Sequence, residues 1–391
     1  MPLLKTFSPP GSNRPGNRFF ITLITVGIIA LIVIWSKDKT AQAQSRVQTN
    51  SSPVVEKTSP ASPPTQVRVM VRTNLPGKVL TNVISAFPAT QTNLIRTNIT
   101  GLGSFTPRPV QSIFEAQLSL ARQGISAGSI DGVIGSQTRA ALQAFQLREK
   151  LPLTGELDAA TKTRLLLTAP AYGQFTVTTN ELALLQPIGT SWLSKSKQNL
   201  LAYETLLEMV AEKSSCSPAF LKQLNSSIDW TNLMAGTTLR IPLIERPKPI
   251  ESASFIRISL SGKNLKAFGV QTNLLAHFPC SIAQKVEKRP IGALSVEKIV
   301  TDPDYTFNPE NFPESPEARS LKTKLIISPG PNNPVGTVWI GLNKPGYGIH
   351  GTPKPEEVGR TESHGCFRLA NWNAEYLVQL VEIGTPIFVE P

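Results

Sequence analysis

From Phe255 onward the apolar residues come in short runs closed by glycine or proline, which limits this part of the chain to short strands. Phe255–Leu260 alternates apolar and polar side chains, and Leu265–Val270 does so more loosely. Successive strand residues face opposite ways, so alternation predicts one buried and one wet face. Leu274–Ile282, Leu294–Val300, Lys324–Ile327 and Val338–Leu342 read as further strands, with Thr385–Val389 closing the set. The turn-prone Ser261-Gly262-Lys263-Asn264 joins the first two as a hairpin. One helix is expected, capped by Asn371, buried through Trp372, Leu377, Leu380 and Val381, and ended by Gly384. Residues 251–390 are thus predicted to form a mainly β domain, sandwich- or barrel-like.

The N-terminal segment obeys different rules. Lys5, Arg14 and Arg18 precede an apolar run over 19–35, and Ala41-Gln42-Ala43 offers a small-residue cleavage site. Residues 1–43 read as a signal peptide or a membrane anchor; both stay open, and either exports the remainder of the chain. Residues 44–108, rich in Ser, Thr, Pro, Asn and Gln, read as a tether. A net charge of +12 suits an anionic partner: membrane, wall polymer or nucleic acid. No zinc-finger spacing, helix-turn-helix signal or basic-aromatic patch supports nucleic acid, so wall or membrane is predicted.

Two small modules come next, making the chain multidomain. Residues 109–167 predict a compact all-α unit of three helices. Ile113, Gln117, Leu118 and Ala121 share one face; Thr138, Ala141, Leu142 and Phe145 share another, with Ser136 as N-cap; Asp158 caps the third. Residues 173–244 predict an α+β unit: a strand at Phe175–Val177, helix faces at Leu206, Met209 and Val210 and at Phe220, Leu221 and Leu224, then a strand at Thr238–Pro242. Glu245–Ile250 is a short linker.

The chemistry concentrates in Tyr347–Arg368, which holds two of three histidines and one of three cysteines. Cys216 and Cys280 stand alone and read as buried filler, and His277 as a satisfied strand residue. A cysteine attacks as thiolate, and a histidine in contact lowers its pKa and takes its proton. His350 and Cys366 can form that couple, and Gly365 leaves backbone amides beside the sulfur for a developing oxyanion. His350, His364 and Cys366 would also suffice for zinc, but no carboxylate-rich surround accompanies them, so no metal and no cofactor is predicted.

Three resemblances extend this reading. Leu118, Gly124, Asp131-Gly132-Val133, Gly135, Thr138, Ala141, Phe145-Gln146, Thr154-Gly155 and Thr161 make 109–167 resemble the peptidoglycan-binding domain family, which implies wall anchoring. Leu224-Asn225 and the ending Ala235-Gly236-Thr237…Ile241-Pro242 make 173–244 look like a lysin motif, a glycan-binding fold. It lacks the usual Gly-Asp turn and carries an insertion, Asn180–Asn199. Arg289-Pro290-Ile291-Gly292, Gly330–Gly336, Tyr347–Thr352 and Ser363–Leu369 make 251–390 resemble the L,D-transpeptidase family, with Arg289 where threonine is usual.

That last resemblance implies a mechanism. The Cys366 thiolate attacks the amide between diaminopimelate and the terminal D-Ala of a tetrapeptide stem. His350, oriented by Gly351 or a nearby carbonyl, acts as base and then acid. The Gly365 and Cys366 amides hold the oxyanion. A second stem's amine resolves the thioester as a 3–3 cross-link; the alternatives are a carboxypeptidase or endopeptidase, with water in the amine's place, and a non-catalytic wall-binding protein. His364 shapes the site or holds its loop, and Ser363 pins that loop. Tyr347 walls the cleft or packs, and Arg368 meets a stem carboxylate or an ion-pair partner. The implied partners are peptidoglycan stem peptides and glycan. The implied location is the periplasm or cell wall, with 19–35 as an inner-membrane anchor if it is retained.

Overall fold

The computed structural model describes residues 105–361 and 365–391. The apolar run at 19–35, the cleavage site, nearly all of the tether, Ser363 and His364 lie outside the described residues. Among the described residues, no helix is long and apolar enough to cross a membrane.

The helical module runs β1 (Arg108–Pro109), α1 (Ile113–Ala121), α2 (Ser136–Arg148), α3 (Ala159–Arg164) and β2 (Leu166–Leu167), with β1 antiparallel to β2. Ser112 and Asp158 cap α1 and α3 by accepting from the amides of Glu115 and Thr161. Ser136 is not a cap; α2 begins on it, and Gly135 takes the cap position without a side-chain bond. Two buried glutamines organise the turns. Gln117 donates to Asp131, Val133 and Thr138 and accepts from the amides of Asp131 and Gly132. Gln146 does the same for the next turn, donating to Thr154, Glu156 and Thr161 and accepting from Gly155.

The middle module runs β3 (Tyr172–Thr176), α4 (Thr179–Ala183), α5 (Trp192–Lys195), α6 (Leu206–Lys213), α7 (Pro218–Leu224) and β4 (Thr238–Pro242). β3 and β4 pair antiparallel from Tyr172↔Pro242 to Thr176↔Thr238. Thr205 and Glu208 exchange bonds as a capping box at α6, and Ser217 caps α7 with Pro218 in its first turn.

In the C-terminal region β5 (Phe255–Ser259), β6 (Asn264–Phe268), β7 (Leu274–Pro279) and β8 (Gly292–Thr301) precede β9 (Tyr305–Phe307), α8 (Pro316–Ser320) and β10 (Leu325–Ile327). Then come β11 (Val338–Leu342), β12 (Gly348–His350), β13 (Phe367–Arg368), α9 (Asn371–Val378) and β14 (Pro386–Glu390). The region is mainly β, with eight strands ordered β13-β12-β11-β8-β14-β5-β6-β7. β8 pairs with β14 through its first half and with β11 through its second, so one long strand carries the sheet from one half to the other. Its core gathers Ile256, Phe278, Ile340, Ile349, Phe367 and, from α9, Leu377. Asn371 does not cap α9; Ala370 holds that position and Asn371 is the first helical residue. Gly384, at φ 95°, turns the chain into β14 rather than ending the helix.

The modules are not beads on a string. All the described residues fall in one compact unit. Ile125 adds to the exposed edge of β7 as a parallel bridge to His277, with Ser126 N donating to His277 O at 2.8 Å and His277 N to Gly124 O at 3.1 Å. Ile130 bridges Cys216 in the same way. The Arg122 guanidinium bonds the carbonyls of Ala169, Pro170 and Leu243, tying the end of the β3–β4 pair where β3 begins and β4 finishes to the end of α1. The insertion Asn180–Asn199 is used as well. Its Trp192 stacks on Phe307 of β9, ring centroids 4.1 Å apart, in a satellite core with Leu201, Ala318 and Ile327.

Candidate active site

Parallel pairing of β12 with β13 sets Ile349 opposite Phe367 and His350 opposite Arg368. Cys366 immediately precedes β13, so that register places it across from Gly348. Ile349 and Phe367 point into the core. By alternation Cys366 and His350 share the other face, as diagonal neighbours on adjoining strands. A short run, Gly-Ile-His beside Cys-Phe-Arg, thus brings the two reactive groups to one patch although sixteen positions separate them in the chain.

His350 is 7% exposed, and its Nδ1 lies 2.6 Å from the Gly351 carbonyl. A carbonyl only accepts, so Nδ1 carries the hydrogen and Nε2 of the neutral ring presents a lone pair. Burial pushes the imidazole down to about 4; the Gly351 bond opposes this and Arg368 adds to it. The half-buried Cys366 thiol is pushed up by burial, opposed by a backbone bond at Gly348. Its Sγ stands 3.6 Å from the Gly346 carbonyl. The resting couple is therefore thiol and neutral imidazole. Burial is the larger cause of the thiol's rise, and the Gly348 backbone bond opposes it.

Gly351 supplies the carbonyl that orients His350. Gly365 is half-buried, directly before the sulfur. Tyr347 packs against the sheet core, with the Lys344 ammonium 5.2 Å from its ring centre. Arg368 exchanges backbone bonds with Ser281, and its guanidinium donates to Thr361 at 2.9 Å. His277 is buried inside the seam with the helical module, its Nδ1 3.3 Å from the Ser126 carbonyl. Cys216 and Cys280 are buried and free, with thiols raised by burial. Among the described residues no cluster of His, Cys, Asp and Glu could hold a metal.

Several residues of the site carry no sequence signal. Trp339 of β11 stacks on His350. Gly348 clears space for that indole; a Cβ there would stand 2.6 Å from Trp339 Cζ2. The Tyr305 phenol is pushed up to about 12, by burial first and by the Cys366 sulfur second. A cavity of about 490 Å³ opens elsewhere, where Asp131, Gln137 and Phe220 meet Glu356 and Arg360 of the segment linking His350 to Cys366.

Comparison with known proteins finds relatives for two regions of the chain. Residues 253–389 match the family model described as the YkuD L,D-transpeptidase catalytic domain. Residues 110–165 match a putative peptidoglycan binding domain. The putative L,D-transpeptidase YkuD of Bacillus licheniformis is 27% identical over 48% of this chain and 94% of its own. The putative L,D-transpeptidase YqjB of Bacillus subtilis is 34% identical over 28% of this chain and 64% of its own. The probable L,D-transpeptidase YbiS of Escherichia coli K12 is 27% identical over 46% of this chain and 58% of its own.

Proposed function

We infer that this chain, whose residues 253–389 belong to the L,D-transpeptidase catalytic family, is a cysteine acyltransferase that cross-links peptidoglycan. The observation that carries the residue assignment is the β12–β13 register, which puts Cys366 and His350 on one face while Gly351 fixes the imidazole tautomer. His350 Nε2 takes the thiol proton as sulfur attacks the diaminopimelate–D-Ala amide of a tetrapeptide stem. The C–N bond breaks, the same proton leaves with D-Ala, and a thioester remains on Cys366. The amides of Gly365 and Cys366 face the oxyanion, each donor contributing about 3 kcal/mol. An amine of a second stem then attacks the thioester and regenerates the thiol. Tyr347 and Arg368 border the stem-binding cleft, and His364 and Ser363 join the site on the strength of the sequence resemblance alone.

The match over 110–165 makes peptidoglycan the partner of the helical module. The middle module, 173–244, is read as a lysin-motif-like glycan binder; α6 and α7, lying between the paired strands beside the short α4 and α5 of the insertion, support this. Residues 1–43 serve export to the wall or periplasm, as leader or anchor. The test is purified protein with tetrapeptide muropeptides, followed by mass spectrometry. Cross-linked dimers that disappear in Cys366→Ala are expected. Shortened monomers alone would make the enzyme a carboxypeptidase, and dimers formed by Cys366→Ala would end the thiol mechanism.

A further inference from the structure

Asn371 is fully buried beneath the site. Its Oδ1 lies against the backbone of Gly336 and Gly351, where a Cβ on either glycine would strike it. The same oxygen accepts from the Thr337 amide at 3.3 Å. Its Nδ2 donates to the Pro331 carbonyl at 3.2 Å and to both carboxyl oxygens of Glu212 at 3.1 Å. Glu212 belongs to α6 of the middle module, and the Tyr203 hydroxyl donates to it at 3.0 Å. Gly351 in turn supplies the carbonyl that His350 Nδ1 bonds. A continuous line of contacts, Glu212–Asn371–Gly351–His350, thus runs from one module to the imidazole of another.

We propose that Glu212 is a positioning residue of the active site, lent by the middle module, which holds the His350 imidazole in register through Asn371 and the Gly351 backbone. The carboxyl fixes which end of the Asn371 amide faces the two glycines. Without it the amide can rotate and turn its NH2 toward them. Burial pushes the Glu212 carboxyl up to about 8, Glu375 and Glu208 adding to the rise and the bonds from Asn371 and Tyr203 opposing it. A carboxamide at this position keeps the shape and one oxygen that can accept from Asn371 Nδ2.

The proposal rests on Cys366 and His350 doing the chemistry, and the experiment separates the two claims. Full-length wild type, Glu212→Gln and Glu212→Ala are mixed with imipenem at pH 7. Acylation of Cys366 is followed by absorbance and intact mass, as a maximal rate and a half-saturating concentration. Loss of an orienting partner is expected to slow the maximal rate on the order of 10-fold or more in Glu212→Ala, with half-saturation little changed. Glu212→Gln should stay within about 3-fold of wild type, on the same footing. If Glu212→Ala fails to fold, Glu212→Gln and Glu212→Asp decide: retention in the first and loss in the second support the proposal. Equal rates for wild type and Glu212→Ala, or equal losses in Ala and Gln, overturn it. A wild type that imipenem never acylates overturns the enzymatic reading, and this proposal with it.

Discussion

Trp339 lies over the imidazole of His350, ring centroids 5.7 Å apart and planes 20° from parallel. The indole is seated by Gly348, two residues before the histidine on the neighbouring strand. Gly348→Ala would place a methyl 2.6 Å from Trp339 Cζ2, so the indole must move off the ring it packs. Cross-linking kcat is expected to fall by roughly 10-fold through lost alignment. Trp339→Ala removes the clash along with the packing. The double variant should then be no slower than Trp339→Ala alone, a non-additivity that a double-mutant cycle on tetrapeptide turnover reads directly.

The couple at rest sets a second outcome. The thiol is raised by burial and the imidazole lowered to about 4, so near neutral pH neither is charged. A raised thiol pKa delays thiolate formation to higher pH. Iodoacetamide labelling of Cys366 should therefore climb through the alkaline range, with a midpoint above that of an unperturbed thiol. Labelling that is already half-maximal at about pH 6 would instead mean a preformed thiolate–imidazolium pair.

Seven strands of the C-terminal region and the Ser261–Asn264 hairpin are readable from sequence because each has a local cause, alternation or turn chemistry; the short β9, β12 and β13 are not, having too few residues to show a pattern. What joins the parts has no local cause. The seam at His277 depends on β7 being left as a sheet edge, and the Trp192–Phe307 stack depends on the middle module's insertion meeting β9. Asn371 shows the limit most clearly. Its place before an apolar helical run suggests a cap, yet Glu212, more than 150 residues away, claims its amide. The rise of the Cys366 thiol has the same origin, since burial is a property of the assembled fold.

Gln146 carries the third prediction. It is completely buried, and its amide makes four bonds to the Thr154–Thr161 turn. Gln146→Leu keeps the volume and strands those partners, among them the Gly155 amide, at a cost of about 3 kcal/mol. The melting temperature of the full chain should drop. Because the helical module is stitched to the β7 edge, the loss should appear as one transition rather than as separate melting of a peripheral domain.

Acid stability supplies the last. His277 is 1% exposed, and burial pushes it down to about 3, Lys266 adding to this and the Ser126 carbonyl opposing it. A histidine lowered in the folded state takes up its proton first in the unfolded chain. Its contribution to stability is complete above about pH 6.5 and is lost as pH falls toward the folded value. Each unit of depression is worth about 1.4 kcal/mol. Glu212, Glu356 and Glu375 are raised and act in the opposite direction, so the comparison must be with a variant, not with pH alone. His277→Asn keeps a donor toward Ser126 and removes the titration. Urea unfolding from pH 7 to pH 4.5 should show wild type losing about 2 kcal/mol or more relative to His277→Asn. Parallel curves would place the imidazole in contact with water, and the seam between the helical module and β7 would be open in solution.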